Sequence, residues 1–310
     1  MKILFAGTPA IAVPSLRFLA ERFPIAGVLT APDKASGRGR HLTPSEVKSA
    51  AMELNLPVLD PLRLDSAARA AIKKLKPDLL TVFAYGKIFG PKFLSLFPEG
   101  AINMHPSKLP LYRGPAPLAA AILAGESETA LTVQKIALET DSGDILRQTP
   151  LEILPTDTTG TLSEKAALLA GRELATVIEA LATGSIQSRA QDHSKAVYCR
   201  LITKQDGMID WNKSAHEIER TVRAYQPWPK AYTIFNGQNL AILESHTVSD
   251  DKPKSYSPGS ILGVDKGHGI LIQTGDGVLA ITRLQAQARK PMDFQSFCCG
   301  MRLEKGMILG

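Results

Sequence analysis

The run Asp78-Leu79-Leu80-Thr81-Val82-Phe83-Ala84-Tyr85-Gly86 constrains this chain most tightly. Successive side chains of a strand point to opposite faces, so a strand apolar on both faces needs a covering layer on each side. The run therefore belongs at the centre of a sheet. Around it the pattern repeats. Ile3-Leu4-Phe5-Ala6 is a short apolar strand, Gly7-Thr8-Pro9 turns the chain, and Val13, Leu16, Phe18 and Leu19 supply the apolar side of a helix. Ile25 to Leu29 reads as the next strand, and Ser66 to Leu75 as an Ala-rich amphipathic helix. Apolar strand, glycine turn and helix in alternation predict an α/β domain with a mostly parallel, Rossmann-like sheet and helices on both faces. No Gly-x-Gly-x-x-Gly follows the first strand and no phosphate-loop Gly-Lys-Ser/Thr occurs, which disfavours nicotinamide or ATP chemistry.

A second stretch carries chemistry. Gly100-Ala101-Ile102-Asn103-Met104-His105-Pro106-Ser107-Lys108-Leu109-Pro110 is an apolar run ending in an amide and an imidazole. In extended backbone, residues two apart share a face, so Asn103 and His105 project together from a strand end. Pro106 and Pro110 bracket a turn that cannot continue a central strand. Thirty-six residues beyond His105, Asp141 stands in the acidic, glycine-containing turn Leu138-Glu139-Thr140-Asp141-Ser142-Gly143-Asp144. Asn103, His105 and Asp141 converging at strand ends make a usable set for acyl transfer, with a hydrogen-bond donor, a titratable base and a carboxylate.

The 310 residues, 44% of them hydrophobic, exceed what one core usually sustains and predict two domains. The start Met1-Lys2-Ile3-Leu4-Phe5-Ala6-Gly7 is too short an apolar run for a signal peptide, and no apolar segment reaches the ~18 residues of a membrane span. Cys199, Cys298 and Cys299 fit neither a disulfide framework nor a zinc spacing. A cytoplasmic protein with no membrane association and no metal is expected. After the helix Thr161 to Ala182, Thr183-Gly184-Ser185 stops the pattern and residues 185–204 read as a polar linker. Beyond it, short strands recur: Tyr232 to Phe235, Leu240 to Leu243, Ser260 to Val264, Gly269 to Ile272 and Val278 to Ile281. Asn236-Gly237 and Asp276-Gly277 are strong hairpin signals. The expected organisation is a catalytic domain over 1–184 and a small OB-like β-barrel over 205–310.

The net charge is +6. Its local clusters are more informative: Arg38-Gly39-Arg40-His41, in the long Gly/Pro/Arg-rich loop Thr30 to Ser45, and Arg283, Arg289 and Lys290 near the end. Both suit a polyanionic partner.

An ordered set of motifs then points to a family. Ala6-Gly7-Thr8-Pro9, Pro32-Asp33 with Gly37-Arg38-Gly39, Ala84-Tyr85-Gly86, Asn103 to Pro110, Tyr112-Arg113-Gly114-Pro115-Ala116-Pro117, Asp141-Ser142-Gly143-Asp144 and Pro227-Trp228-Pro229 resemble the methionyl-tRNA formyltransferase family from end to end. Lys108 stands where that family usually has Leu, and Pro106 where it has a small residue. The resemblance implies the formyltransferase fold and transfer of a formyl group from 10-formyltetrahydrofolate to the α-amino group of methionine on initiator tRNA. It implies catalysis by Asn103, His105 and Asp141. It places the folate against Tyr85, Gly86, Ser107, Lys108, Leu109 and Pro110, and the tRNA against Arg38, Arg40, Arg283, Arg289 and Lys290. The partners it implies are 10-formyltetrahydrofolate and methionyl initiator tRNA, with a monomer expected.

Three other readings stay open on the residues alone. A formyltransferase acting on a small amine would keep the same trio but has little use for the basic loop or the barrel. A hydrolase would release formate from the same folate. A non-catalytic RNA-binding protein would have no need of Asn103, His105 and Asp141 together.

Overall fold

Strands β1 (Ile3–Ala6), β2 (Ile25–Leu29), β5 (Val58–Leu59), β6 (Leu79–Phe83) and β7 (Ala101–His105) run parallel in the order β5-β2-β1-β6-β7. Strands β8 (Glu128–Lys135) and β9 (Ile145–Glu152) extend the same sheet beyond β7, each antiparallel to its neighbour. A two-stranded ribbon, β3 (Lys34–Ser36) and β4 (His41–Thr43), lies outside this sheet. The doubly apolar run 79–83 is the fourth of seven strands, buried at all five positions. The computed structural model describes residues 1–36, 41–248 and 256–310.

Helices α1 (Val13–Ala20), α2 (Glu46–Glu53), α3 (Ser66–Leu75) and the single turn α4 (Pro91–Leu94) connect the parallel strands. Ser45 and Asp65 cap α2 and α3, accepting from the backbone N–H of Lys48 and Ala68, the side-chain oxygens that helix starts favour. The first helix opens later than Pro9 suggests. Residues Ala10–Ala12 form a 3-10 turn, and α1 follows with Pro14 in its first turn, the one place where a missing N–H costs no helical bond. After α5 (Pro117–Ala124), the 24-residue α6 (Thr159–Ala182) buries Ala166, Ala170, Leu174 and Ile178, spaced four apart. Gly171 admits Phe18 of α1 against its backbone.

By its contacts the chain divides into two compact units. One comprises Met1–Pro117, Glu128–Glu152 and Ser163–Arg200; the other comprises Leu118–Ser127, Ile153–Leu162 and Leu201–Gly310. The polar stretch up to Arg200 thus groups with the unit that carries the large sheet, and Gln191 within it is buried.

The second unit contains α7 (Ala215–Ala224), strands β10 (Ala231–Phe235), β11 (Gln238–Val248), β12 (Ile261–Asp265), β13 (Gly269–Gln273), β14 (Val278–Ala286) and β15 (Met292–Asp293), and α8 (Phe294–Gly300). The sheet is antiparallel, in the order β10-β11-β14-β13-β12, with β15 against β14. Asn236 and Gly237 both have positive φ (48° and 72°), the signature of the two-residue turn their sequence favours. Strand β11 is longer than its apolar run because a register shift around Glu244 breaks the alternation and lets Ser245 and His246 continue the ladder. The chain's last described segment joins the two end strands. Met307 O accepts from Ile261 N at 2.7 Å, and Gly310 N donates to Ile234 O at 3.0 Å, linking β12 to β10. Ile218 and Val222 of α7 and Phe297 of α8 pack on the apolar interior with Ile242, Ile272 and Leu279.

Candidate active site

Strand β7 delivers two of the expected residues. In its register with β8, Asn103 lies opposite Gln134 and His105 opposite Thr132, so these polar side chains occur as cross-strand pairs. Asp141 arrives from the turn between β8 and β9. That turn folds back tightly: Lys135 N donates to Asp144 O at 2.9 Å, and any Cβ on Gly143 would collide with the Lys135 carbonyl. Asp141 itself takes φ +50°, a conformation unusual for a non-glycine residue.

The three side chains meet within one unit. Asn103 Nδ2 donates to Asp141 Oδ1 at 3.4 Å, and His105 Nδ1 lies 3.5 Å from Asp141 Oδ2. The carboxylate also accepts from Gly114 N at 2.9 Å and from Gln134 Nε2 at 2.9 Å. His105 Nε2 is 2.9 Å from the Tyr112 carbonyl oxygen, which can only accept, so Nε2 carries a proton. Nδ1 is then the ring position that faces the carboxylate and can exchange a proton with it. The ring is 5% exposed.

Behind the trio lies a shell of which the sequence motifs revealed only the Arg113-Gly114 part. Residues 189–199 run across the back of the site. Arg189 and Ile145 exchange backbone hydrogen bonds of 2.8 Å in each direction, and Arg113 N and Cys199 N bond Val197 O and Arg113 O, each at 2.8 Å. Gly114 has φ +113°, and a Cβ there would strike the Cys199 carbonyl. Cys199 Sγ accepts from Ala116 N, and burial raises its thiol pKa. Arg113 is 1% exposed and Gln191 5% exposed. Two signals of this shell stand in the sequence: the Tyr112-Arg113-Gly114 motif, and Gln134 at the end of the apolar run Ala130-Leu131-Thr132-Val133, where a buried amide requires partners.

The residues expected to line the folate fall into two groups. Ser107 is wholly buried and donates to Leu111 O at 2.6 Å, while Thr132 Oγ1 donates to Ser107 O at 2.6 Å. Leu109 is 2% exposed, its carbonyl accepts from Gln148 Nε2, and the Leu109–Pro110 peptide is cis. Tyr85, also buried, stacks on Phe89 with ring centres 5.5 Å apart. Its hydroxyl has no hydrogen-bond partner among the described residues, and burial pushes its pKa up to about 12, so it remains a neutral phenol. By contrast Gly86, with φ +77°, has open space around its missing Cβ, and Lys108 is exposed, pairing with Glu128 at 3.0 Å.

Arg38 and Arg40 lie outside the described residues. The ribbon that leads to them is anchored at its base. Lys48 Nζ on α2 donates to Asp33 and Asp60 at 2.6 Å each, and these hydrogen bonds raise the lysine's pKa. In the second unit Arg283, on β14, pairs with Glu244 at 3.1 Å at the surface, while Arg289 and Lys290 lie exposed in the turn that follows. Among the described residues there is no cluster of three His, Cys, Asp or Glu able to hold a metal ion, and no helix long and apolar enough to cross a membrane.

Residues 2–178 match the family described as formyl transferase, and residues 201–302 match the formyl transferase C-terminal domain. The chain is 44% identical to a methionyl-tRNA formyltransferase of Treponema denticola over 311 residues, covering 97% of each chain. An N-formyltransferase from Helicobacter canadensis, solved with folinic acid and dTDP-3-aminofucose, superposes with a TM-score of 0.66 at 20% identity, covering 91% of this chain and 99% of that one. A methionyl-tRNA formyltransferase from Clostridium thermocellum gives a TM-score of 0.57 at 16% identity, covering 81% and 95%. At such identities the two structures speak to the fold.

Proposed function

The chain belongs to the methionyl-tRNA formyltransferase family, and from that premise we propose that it passes the formyl group of 10-formyltetrahydrofolate to the α-amino group of methionine on initiator tRNA. The observation that carries this reading is the meeting of Asn103, His105 and Asp141 at the end of β7.

A free α-amino group titrates near ~7.7–8.0, and the ester of a charged tRNA lowers that further, so a useful fraction is a neutral nucleophile at physiological pH. As it attacks the formyl carbon, negative charge gathers on the formyl oxygen and positive charge on the nitrogen. The Asn103 amide has two N–H groups; one reaches Asp141, and we assign the other to the formyl oxygen, an arrangement whose loss costs about 2.7–4 kcal/mol in comparable sites. Asp141 takes the proton that the amine sheds and returns it to the departing folate nitrogen. His105, with Nε2 held by Tyr112, shares that proton through Nδ1 and orients the carboxylate.

The folate wall is proposed from Tyr85, Gly86, Ser107, Lys108, Leu109 and Pro110. Gly86 and Lys108 would supply its accessible face, and the buried Ser107 and Leu109 its rigid backing. The orphaned Tyr85 hydroxyl and the amide donor of Asn103 are polar groups suited to a heterocyclic co-substrate. Arg38 and Arg40 would read the acceptor end, while Arg283, Arg289 and Lys290 hold phosphates. Such contacts position a nucleic acid but do not identify it. The proposed division of labour is catalysis over 1–184 with residues 189–199 packed behind the site, and tRNA grip over 205–310, in a monomer working in the cytoplasm.

The test is incubation with 10-formyltetrahydrofolate and, separately, charged initiator and elongator methionine tRNAs. Formylmethionine on the initiator alone supports the reading. Formylation of neither tRNA sinks it.

A further inference from the structure

The interior behind the site holds a buried cation whose bonded acceptors include no carboxylate among the described residues. Arg113 Nη2 and Nε donate to Gln191 Oε1 at 2.7 and 3.2 Å, Nη1 donates to Tyr198 Oη at 3.0 Å, and Nη2 lies 3.2 Å from His193 Nδ1. A guanidinium 1% exposed is costly unless its charge is answered somewhere. Two amides lead to the answer. Gln191 Nε2 donates to Gln134 Oε1 at 3.2 Å, and Gln134 Nε2 donates to Asp141 Oδ1 at 2.9 Å.

The direction of this chain is fixed at both ends. Arginine only donates and a carboxylate only accepts, so each amide between them has one possible orientation: oxygen toward Arg113, nitrogen toward Asp141. Aligned hydrogen bonds in a low-dielectric interior polarise one another. Gln191 Nε2 also reaches Asp141 O at 2.9 Å and Gly143 O at 2.7 Å, part of the turn in which Asp141 takes φ +50°, so its two N–H groups serve three acceptors and the 3.2 Å link to Gln134 is a shared, three-centre bond. Strained backbone persists where surrounding contacts over-determine it. Gln191 therefore touches the carboxylate's neighbour and the carboxylate's own main chain together.

We propose that Arg113, Gln191 and Gln134 form a directed hydrogen-bond relay that positions the Asp141 carboxylate for proton transfer, with Gln191 as its central positioning residue. The proposal rests on the reading of Asp141 as the proton carrier in formyl transfer. Gln191→Glu isolates the claim, because a carboxylate still accepts from Arg113 but has no N–H for Gln134 or for the 141–143 backbone. Paired with arginine, it also keeps the buried charge answered, so the fold should hold. The double change Arg113→Met with Gln191→Met removes cation and partner together, which interiors tolerate better than removing one.

In single-turnover formylation of charged initiator tRNA, each folded variant should lower the rate of the chemical step by roughly 10–100-fold, with apparent affinities for folate and tRNA changed less than about twofold. In an Asp141→Asn background, Gln191→Glu should add less than about twofold, because residues acting through one group are non-additive. A wild-type rate in either variant, or the same fold-loss with and without Asp141, overturns the relay. The carboxyl carbon resonance of Asp141 gives a readout independent of turnover: it should move in Gln191→Glu, and an unmoved signal equally overturns the relay. Wild-type protein run alongside separates the two failures. If it formylates no tRNA, the functional reading falls while the resonance still judges the relay.

Discussion

At the scale of single residues, the site is a cluster of groups that can each do one thing. His105 has both ring nitrogens engaged, with Nε2 on a carbonyl and Nδ1 toward a carboxylate, so in the proposed mechanism it works through Asp141. Asn103 is then the side chain with a donor to spare. Changing Asn103 to Ala should lower kcat by about 10²–10³-fold, the loss of one preorganised donor, while folate affinity measured by titration survives. Activity near wild type would remove it from the chemistry. The trio was legible in the sequence because two of its members sit two apart on a strand and the third in a glycine turn. Gln191 was illegible for an equally physical reason: it lies in a polar, aperiodic stretch whose burial depends on partners 48 to 78 positions away.

At the scale of elements, strand register does most of the positioning. The antiparallel pairing of β7 with β8 sets Asn103 beside Gln134, and the return from β8 to β9 must fold flat against Lys135 to bring Asp141 alongside. Only a residue without a side chain fits at 143. Changing Gly143 to Ala should push this turn off the sheet, costing about 1–3 kcal/mol in urea unfolding. It should also lower kcat by roughly 10²-fold, as a misplacement of about 1 Å does. Unchanged kinetics in a folded variant would show that Asp141 tolerates a displaced turn. Elements defined by local chemistry were readable beforehand: the buried central strand and the Asn236-Gly237 hairpin. The lengthened β11 was not, because its register shift hides the alternation on which strand recognition depends.

At the scale of the molecule, the excess of positive charge acquires a place. Arg283 is partly neutralised by Glu244, whereas Arg289 and Lys290 stand exposed in the turn after β14. Changing both Arg289 and Lys290 to Ala should weaken tRNA binding and make the slope of log affinity against log salt shallower by about 1–2, leaving folate binding unaltered. An unchanged salt slope would move the phosphate contacts elsewhere. The distribution of charge was visible in the sequence, but which cation is already spent on a neighbouring carboxylate required the paired strands.

The strand-end segment around Met307 and Gly310 has a wider implication. It bonds Ile261 at the start of β12 through Met307 O and Gly306 N, and Ile234 O of β10 through Gly310 N, so part of each end strand is already paired and less open as a template for a second chain. The stitch is made by a handful of main-chain bonds rather than by a large apolar contact. Changing these few residues should therefore expose main chain at β12 and β10 and surface as self-association, which sedimentation at rising concentration would read.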